Sequence, residues 1–179
     1  MKADDQGKHV EDGSEAIKAA VVVLMCSGDR LLLIKRSNRP GDRWASHIAF
    51  PGGRLKQGED PLAAAKREFR EEVGLNADNY RYTGELDTVF PNSQRDMLVK
   101  PYVFTADFTP EPKVNGSEVE EARFVPVSDL CSGRQSVDGR VLDVYVCGDW
   151  VVWGMTKRVI DDLLKRLKSG FADTGASRG

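Results

Sequence analysis

The sequence has few of the residues that build metal–thiolate or disulfide frameworks. It holds three cysteines, Cys26, Cys131 and Cys147, and two histidines in 179 residues. The cysteines are odd in number, scattered, form no Cys-x-x-Cys pair and have no histidine partner close by. A disulfide scaffold and a zinc site are excluded, and the set reads as reduced thiols of core or strand in a cytosolic-type protein. Long apolar runs are missing too. The longest, Ala19–Cys26, is far short of the roughly 18 residues that cross a bilayer. No sign of charge dominates: 26 Lys and Arg against 28 Asp and Glu leave a net charge of −2. That balance lacks the global basic field of a nucleic-acid coat or a membrane-surface binder. The acidic first residues carry no apolar core of a signal peptide, and the last three are SRG, not SKL. No targeting address is read, and the cytoplasm is the expected location.

What is present is ordinary for a folded domain. Hydrophobic residues make up 40%, charged residues 30%, with 17 Gly and 8 Pro, which excludes wholesale disorder and collagen-like chains. The pattern predicts a polar, disordered arm over 1–16, one domain over 17–168 and a flexible tail over 169–179. Within the domain, 17–36 reads as a hairpin of two apolar strands around a Ser-Gly-Asp turn. A loop over 37–46 and a short extended piece, His47–Phe50, lead into Pro51–Gly52–Gly53. Asp60 and Pro61 are an N-cap and first-turn pair, so a helix runs to Val73 and stops at Gly74. Leu62, Ala65, Phe69 and Val73 recur at helical spacing. Further strands are expected over 80–90, 97–105, 120–127 and 140–147, a short turn or helix over 126–130, and a second amphipathic helix over 153–167. Strands, helix, strands, helix imply a mixed sheet with helices on it, α+β or α/β.

The chemistry concentrates in Gly53–Leu75. In Arg67–Glu68–Phe69–Arg70–Glu71–Glu72, the three glutamates lie three and four apart and share one side of a helix. Such carboxylates repel, and a hard divalent cation with oxygen ligands offsets the repulsion while keeping positions open for phosphates. Alone, six residues of this kind read more readily as a solvated helix face with local ion pairs. The wider spacing decides otherwise. Gly53, Glu59, Arg67, Glu68, Phe69, Glu71, Glu72, Gly74 and Leu75 fill every defined position of G-x5-E-x7-R-E-U-x-E-E-x-G-U, where U is apolar. A chance match in this length is on the order of 10⁻⁷.

The segment resembles the Nudix box. The resemblance implies a mixed β-sheet between helices and the hydrolysis of a nucleoside diphosphate linked to another moiety. It implies Mg²⁺ or Mn²⁺ on Glu68, Glu71 and Glu72, with Gly53 bringing backbone to the metal. Arg67 and Glu59 would order the loop and helix, and Glu59 would reach the metal through water. The base that takes the water proton varies across the family and is a box glutamate or an acid from a later loop; Glu118, Glu120 and Glu121 read first as a solvated loop cluster, with one of them serving metal or base as the alternative.

Upstream of the box, Arg36, Arg39, Arg43 and Arg54 suit a polyphosphate, because guanidinium groups bind phosphate oxygens in pairs. Phe50 and Trp44 either stack on a base or pack the loop. His47 reads as structural or solvent-exposed, and Trp150 and Trp153 as core or interface. Leu32–Leu33, Arg36–Ser37 and Phe50–Pro51–Gly52–Gly53 resemble the coenzyme A diphosphatase branch of the family. Ile34, Asp42 and Ser46 depart from its motif. Trp153–Gly154–Met155–Thr156, Ser93, Pro101–Tyr102–Val103 and Val125–Pro126 resemble later pieces of that branch. CoA or acyl-CoA is the implied substrate, with ADP-ribose, NADH, a nucleotide sugar or a dinucleoside polyphosphate as alternatives, and a non-catalytic nucleotide-binding module as a third reading. The expected partner is a small nucleotide; a homodimer fits a domain of this size.

Overall fold

The computed structural model describes residues 16–27, 29–91, 94 and 96–170. Apart from Ala16, Ser169 and Gly170, the expected arm and tail lie outside the described residues, as do Gly28 and Ser93. The chain runs through β1 (Ile17–Cys26), β2 (Arg30–Arg36), β3 (Ile48–Ala49), β4 (Gly52–Arg54), α1 (Pro61–Val73), β5 (Arg81–Glu85), β6 (Leu98–Ala106), β7 (Val119–Pro126), β8 (Cys131–Val137), β9 (Arg140–Cys147), β10 (Trp150–Val152) and α2 (Gly154–Ser169). Seven strands form one mixed sheet with the path β3-β2-β1-β6-β5, β4 pairing with β1 and β7 with β2. β1 and β6 are parallel; the other pairs are antiparallel. A second, three-stranded sheet runs β10-β9-β8.

The run of apolar residues in β1 follows from burial on both faces. Ala19, Val21 and Val23 join Val159, Ile160 and Leu163 of α2 in one core cluster. Ala20, Val22 and Leu24, pointing the other way, join Ala65, Phe69 and Val73 of α1 in the other. The sheet is thus held between two helices, and the expected α+β sandwich is what forms. Phe69 is fully buried, so Phe69→Ala costs about 3–5 kcal/mol through the cavity it leaves.

Both ends of α1 are built as expected. The Asp60 carboxylate accepts the Ala63 N–H at 2.9 Å. Gly74, at φ 67°, closes the helix by donating to the Arg70 carbonyl. β2 touches β1 only at Met25–Leu31 and Cys26–Arg30, whereas β4 takes the same edge of β1 at Ala19–Val21. The two partners leave the strands splayed, and the glycine-rich turn enters there, the Val22 N–H donating to the Pro51 carbonyl at 2.8 Å.

Two expectations are corrected. The strand expected over 80–90 ends at Glu85, after a bulge between Tyr82 and Gly84, and Val89 returns to pair with Val99 as an isolated bridge. The strands Cys131–Val137 and Trp150–Val152 were not anticipated. The first is almost wholly exposed and polar, so no alternation marks it. The second buries Trp150 and Val152 against α2.

Candidate active site

Arg67 is the hub of the box. Its Nε and Nη2 grip both oxygens of Glu59 at 2.7 and 2.8 Å. Its Nη1 donates to Glu68 Oε1 at 2.6 Å and to Glu71 Oε2 at 3.3 Å. Nη2 also reaches the Arg54 carbonyl. A bidentate guanidinium of this kind fixes geometry as well as charge. It pulls the Glu59 carboxyl down to about 2, and the carboxylates hold Arg67 deep in its charged form. With Glu59 Oε2 also accepting the Lys56 N–H, Glu59 is a strut between the loop and α1.

Glu72 is set differently. It is buried, its Oε2 accepting the Gly52 N–H at 2.9 Å and its Oε1 lying 4.0 Å from Arg36 Nη1. Burial pushes its carboxyl up to about 8, against the opposing pull of that N–H and of Arg36. Gly53 lies flat on Glu68: a Cβ there would come within 2.6 Å of the Glu68 carboxyl carbon, so a larger residue would displace the carboxylate from its present position. Glu118 arrives from the loop before β7. Oxygens of Glu68, Glu72 and Glu118 all lie within 4.8 Å of one another.

The loop that delivers Glu118 is pinned to the end of α1. Lys113 N–H donates to the Val73 carbonyl at 2.8 Å, close above Gly74, where a Cβ would meet the Lys113 carbonyl oxygen at 3.0 Å. Asn115 donates from Nδ2 to the Glu71 carbonyl, and its Oδ1 accepts the Glu118 N–H at 2.8 Å. β2 and β7 then carry Glu118 beside Arg36, the Ser37 N–H donating to the Glu118 carbonyl. Arg39 donates to the Ser117 carbonyl and lies 3.5 Å from the Glu118 carboxylate.

These groups open into a cavity of about 650 Å³ lined by Gly52, Gly53, Glu68, Glu72 and Glu118 at the carboxylates. Arg36, Arg39, Arg43, Arg54 and Phe50 also line it. So do Trp44, His47 and Trp153, with the His47 and Trp153 rings edge-to-face at 4.6 Å. Burial holds the His47 imidazole below its ordinary range, with Asp138 the foremost charge opposing it.

Residues 16–144 match the NUDIX domain. The chain belongs to the Nudix family. Nudix hydrolase 3 of Caenorhabditis elegans is 31% identical over 123 residues, 66% of this chain and 50% of that protein. The mouse protein named mitochondrial coenzyme A diphosphatase NUDT8 is 28% identical over 174 residues, 88% of this chain and 81% of that one. Two of the curated relatives are much longer, the chain spanning 36% and 50% of their length. Among solved structures, the NUDIX domain of Shewanella oneidensis NrtR, solved with ADP ribose, superposes with a TM-score of 0.57 at 17% identity, covering 84% of this chain and 88% of that one. At that identity the likeness is one of fold.

The Nudix box residues are not equivalent once folded. Glu68 and Glu72 converge, and Glu71 does not join them: its side chain is 48% exposed and turned to Arg67. Glu118 takes the third corner, while Glu120 pairs with Lys35 at 2.8 Å and Glu121 with Arg123. The carboxylate set suits a hard divalent ion such as Mg²⁺ or Mn²⁺, and the raised Glu72 and the glycine floor are the features an ion would meet. Of the arginines expected to face a polyphosphate, Arg36 is held by Asp42 at 2.8 Å and Arg39 by the Glu118 loop. Arg43 and Arg54 make no side-chain ion pair or hydrogen bond among the described residues. Phe50 is buried in the core that reaches the cavity floor.

Trp153 stands half-buried in the cavity wall, outside both core clusters, with the His47 ring against it. Asp42, where the branch motif has arginine, accepts the Trp44 N–H at 2.9 Å while gripping Arg36. Thr156 anchors α2 by donating to the Ile48 carbonyl at 3.0 Å. Asn115 was missed altogether; an Asn-Gly-Ser turn just before an acidic run was its one signal.

Proposed function

We propose that residues 17–168 form a catalytic unit that hydrolyses the diphosphate linkage of a nucleoside diphosphate derivative, with CoA or acyl-CoA as substrate. The observation that carries it is the convergence of Glu68, Glu72 and Glu118 at the floor of an arginine-lined cavity. Glu68, Glu72 and Glu118, with backbone at Gly53, hold Mg²⁺ or Mn²⁺. The ion, when bound, neutralises phosphate oxygens and acidifies water. Arg67 and Glu59 hold the glutamates in place. Arg36 and Arg54 draw the diphosphate oxygens to the carboxylate end. One of the glutamates accepts the proton of the attacking water. Water adds to one phosphorus, the bridging P–O bond breaks, and CoA yields 3′,5′-ADP and 4′-phosphopantetheine.

The CoA reading draws support from the Arg36–Ser37 and Phe50–Gly53 motif and from the mouse relative named a coenzyme A diphosphatase. Other nucleoside diphosphates use the same chemistry, and fold alone does not choose among them. The test incubates the purified protein and Mg²⁺ with CoA, ADP-ribose, NADH and diadenosine polyphosphates together, followed by mass spectrometry. Preferential loss of CoA with appearance of 4′-phosphopantetheine is expected. Preferential loss of another compound moves the substrate reading there and keeps the chemistry.

A further inference from the structure

The hairpin of β8 and β9 has no part in the box, yet it walls the same cavity. Its turn is Asp138–Gly139, with φ of 50° and 75°, the left-handed pair of a tight two-residue hairpin. Val137 faces Arg140 across that turn, and Gln135 faces Leu142. Side chains alternate along a strand, so Val137, Arg140 and Leu142 share one face and Val141 takes the other. Those three line the cavity. Val141 is 61% exposed and is not among the residues that line it. The base of the hairpin is fixed by Tyr145, whose hydroxyl donates to Asp161 of α2 at 2.6 Å, and by pairing to β10.

The arginines of the cavity divide by what already holds them. Arg36 and Arg39 are engaged by Asp42, Glu72 and Glu118. Arg43, Arg54 and Arg140 make no side-chain ion pair or hydrogen bond among the described residues. Arg54 follows Gly53 and has its carbonyl tied to Arg67 beside the carboxylates. Arg43 and Arg140 come instead from the loop after β2 and from the hairpin tip. The one acidic group at that tip, Asp138, acts on His47. Asp138 and Arg140 thus line the cavity from a hairpin that supplies none of the carboxylates of the Glu68–Glu72–Glu118 cluster. Arg43 and Arg140 line the cavity with no anion engaging their guanidinium groups among the described residues, and a dianionic phosphate monoester is the ligand that matches their charge and geometry.

We propose that Arg140, together with Arg43, forms a second anion subsite that binds a phosphate monoester of the substrate remote from the scissile diphosphate. It rests on the reading of CoA as substrate, in which this group is the 3′-phosphate of the ribose.

The test measures kcat/KM for CoA and for 3′-dephospho-CoA with the wild type, Arg140→Ala and Val141→Ala. The wild type is expected to favour CoA. Arg140→Ala is expected to lower kcat/KM for CoA roughly tenfold, as loss of one charge-assisted phosphate contact does, and to leave dephospho-CoA within about twofold. Val141→Ala, on the outer face, is expected to change neither, and thermal melting of both variants checks that the hairpin still folds. An equal loss on both substrates, or no loss on either, overturns the subsite while leaving the CoA reading intact. A wild type that consumes neither compound but hydrolyses ADP-ribose overturns the substrate reading itself.

Discussion

Two parts of the cavity lining are built on opposite plans. At the carboxylate end nearly every charge is already paired inside the protein: Arg67 holds Glu59, Glu68 and Glu71, and Gly52 and Arg36 hold Glu72. In the loop after β2 and on the hairpin, Arg43 and Arg140 are held by nothing among the described residues. A wired end suits a reaction that needs fixed geometry, because groups that stay in place reorganise little during the chemistry. An unwired end suits recognition, because its groups spend their interactions on the ligand and can change without disturbing the box. The contrast predicts that mutations at the first end remove turnover and mutations at the second redistribute it among substrates.

The strongest attempt to break that contrast is Glu72→Gln. The amide keeps the size of the buried side chain and removes the carboxylate, so turnover is expected to fall by ~10²- to 10³-fold or more while the melting temperature stays near that of the wild type. Near-normal hydrolysis of CoA by this variant would sink the carboxylate mechanism. Next comes Arg67. Arg67→Lys keeps the charge but loses the fork onto Glu59, so it separates wiring from electrostatics. A loss of about 10- to 100-fold in kcat is expected, as for other residues that orient ligating groups. The accompanying destabilisation is about 2 kcal/mol, or ~4–8 °C in melting temperature for a domain of this size. Full activity in Arg67→Lys would show that the paired end does not depend on its fork.

How much of this was legible beforehand follows the same division. The helix, its caps and the strand β1 were readable, because each rests on residues a fixed number of positions apart within one element or its adjoining loop; the ordering role of Arg67 and Glu59 came from the resemblance to the Nudix box, and the Arg67–Glu68 contact from the fold. What failed needed tertiary information. Glu118, Glu120 and Glu121 are equivalent in sequence. They part only because a register shift at Lys35/Arg36 in the β2–β7 pairing and the Asn115 turn direct Glu118 inward. The strand β8 was invisible because its residues face solvent on an edge and carry no apolar period. Its Asp138–Gly139 turn was the available clue and went unused. The cavity roles of His47 and Trp153 depend on a loop and a helix start that meet only in the fold.

A sharper comparison sets Glu118 against Glu71 inside the wired end. Glu71 satisfies the box spacing but is half exposed and answers only to Arg67, whereas Glu118 lies outside the box and inside the cluster. Glu118→Gln is expected to cost about tenfold in kcat and to raise the Mg²⁺ concentration needed for half-maximal rate, and Glu71→Gln to stay within about threefold. A Mg²⁺ titration of both variants gives the order directly. The reverse order would place Glu71 on the ion and return Glu118 to its pair with Arg39.

The smallest effect concerns the proton on Glu72 when no ion is present. Its carboxyl is raised from 4.5 to about 8 by burial, so the folded protein holds this proton over a range in which the unfolded chain releases it. The folded state binding more protons makes stability fall as pH rises. The contribution is complete below about pH 4.5 and is lost progressively as the pH rises through about 8. An ion on the ionised carboxylate takes the place of the proton, so ion binding releases that proton and is favoured by higher pH. Thermal melts across this window, with excess Mg²⁺ or with EDTA, are therefore expected to diverge: the melting temperature falls with pH in EDTA, and the Mg²⁺-induced rise grows with pH by linkage. In Glu72→Gln, which has no proton to exchange at this position, the Mg²⁺-dependent divergence is expected to flatten. A divergence of equal size in that variant would assign the coupling to Glu68 or Glu118, and the buried carboxylate would then be wired for position alone.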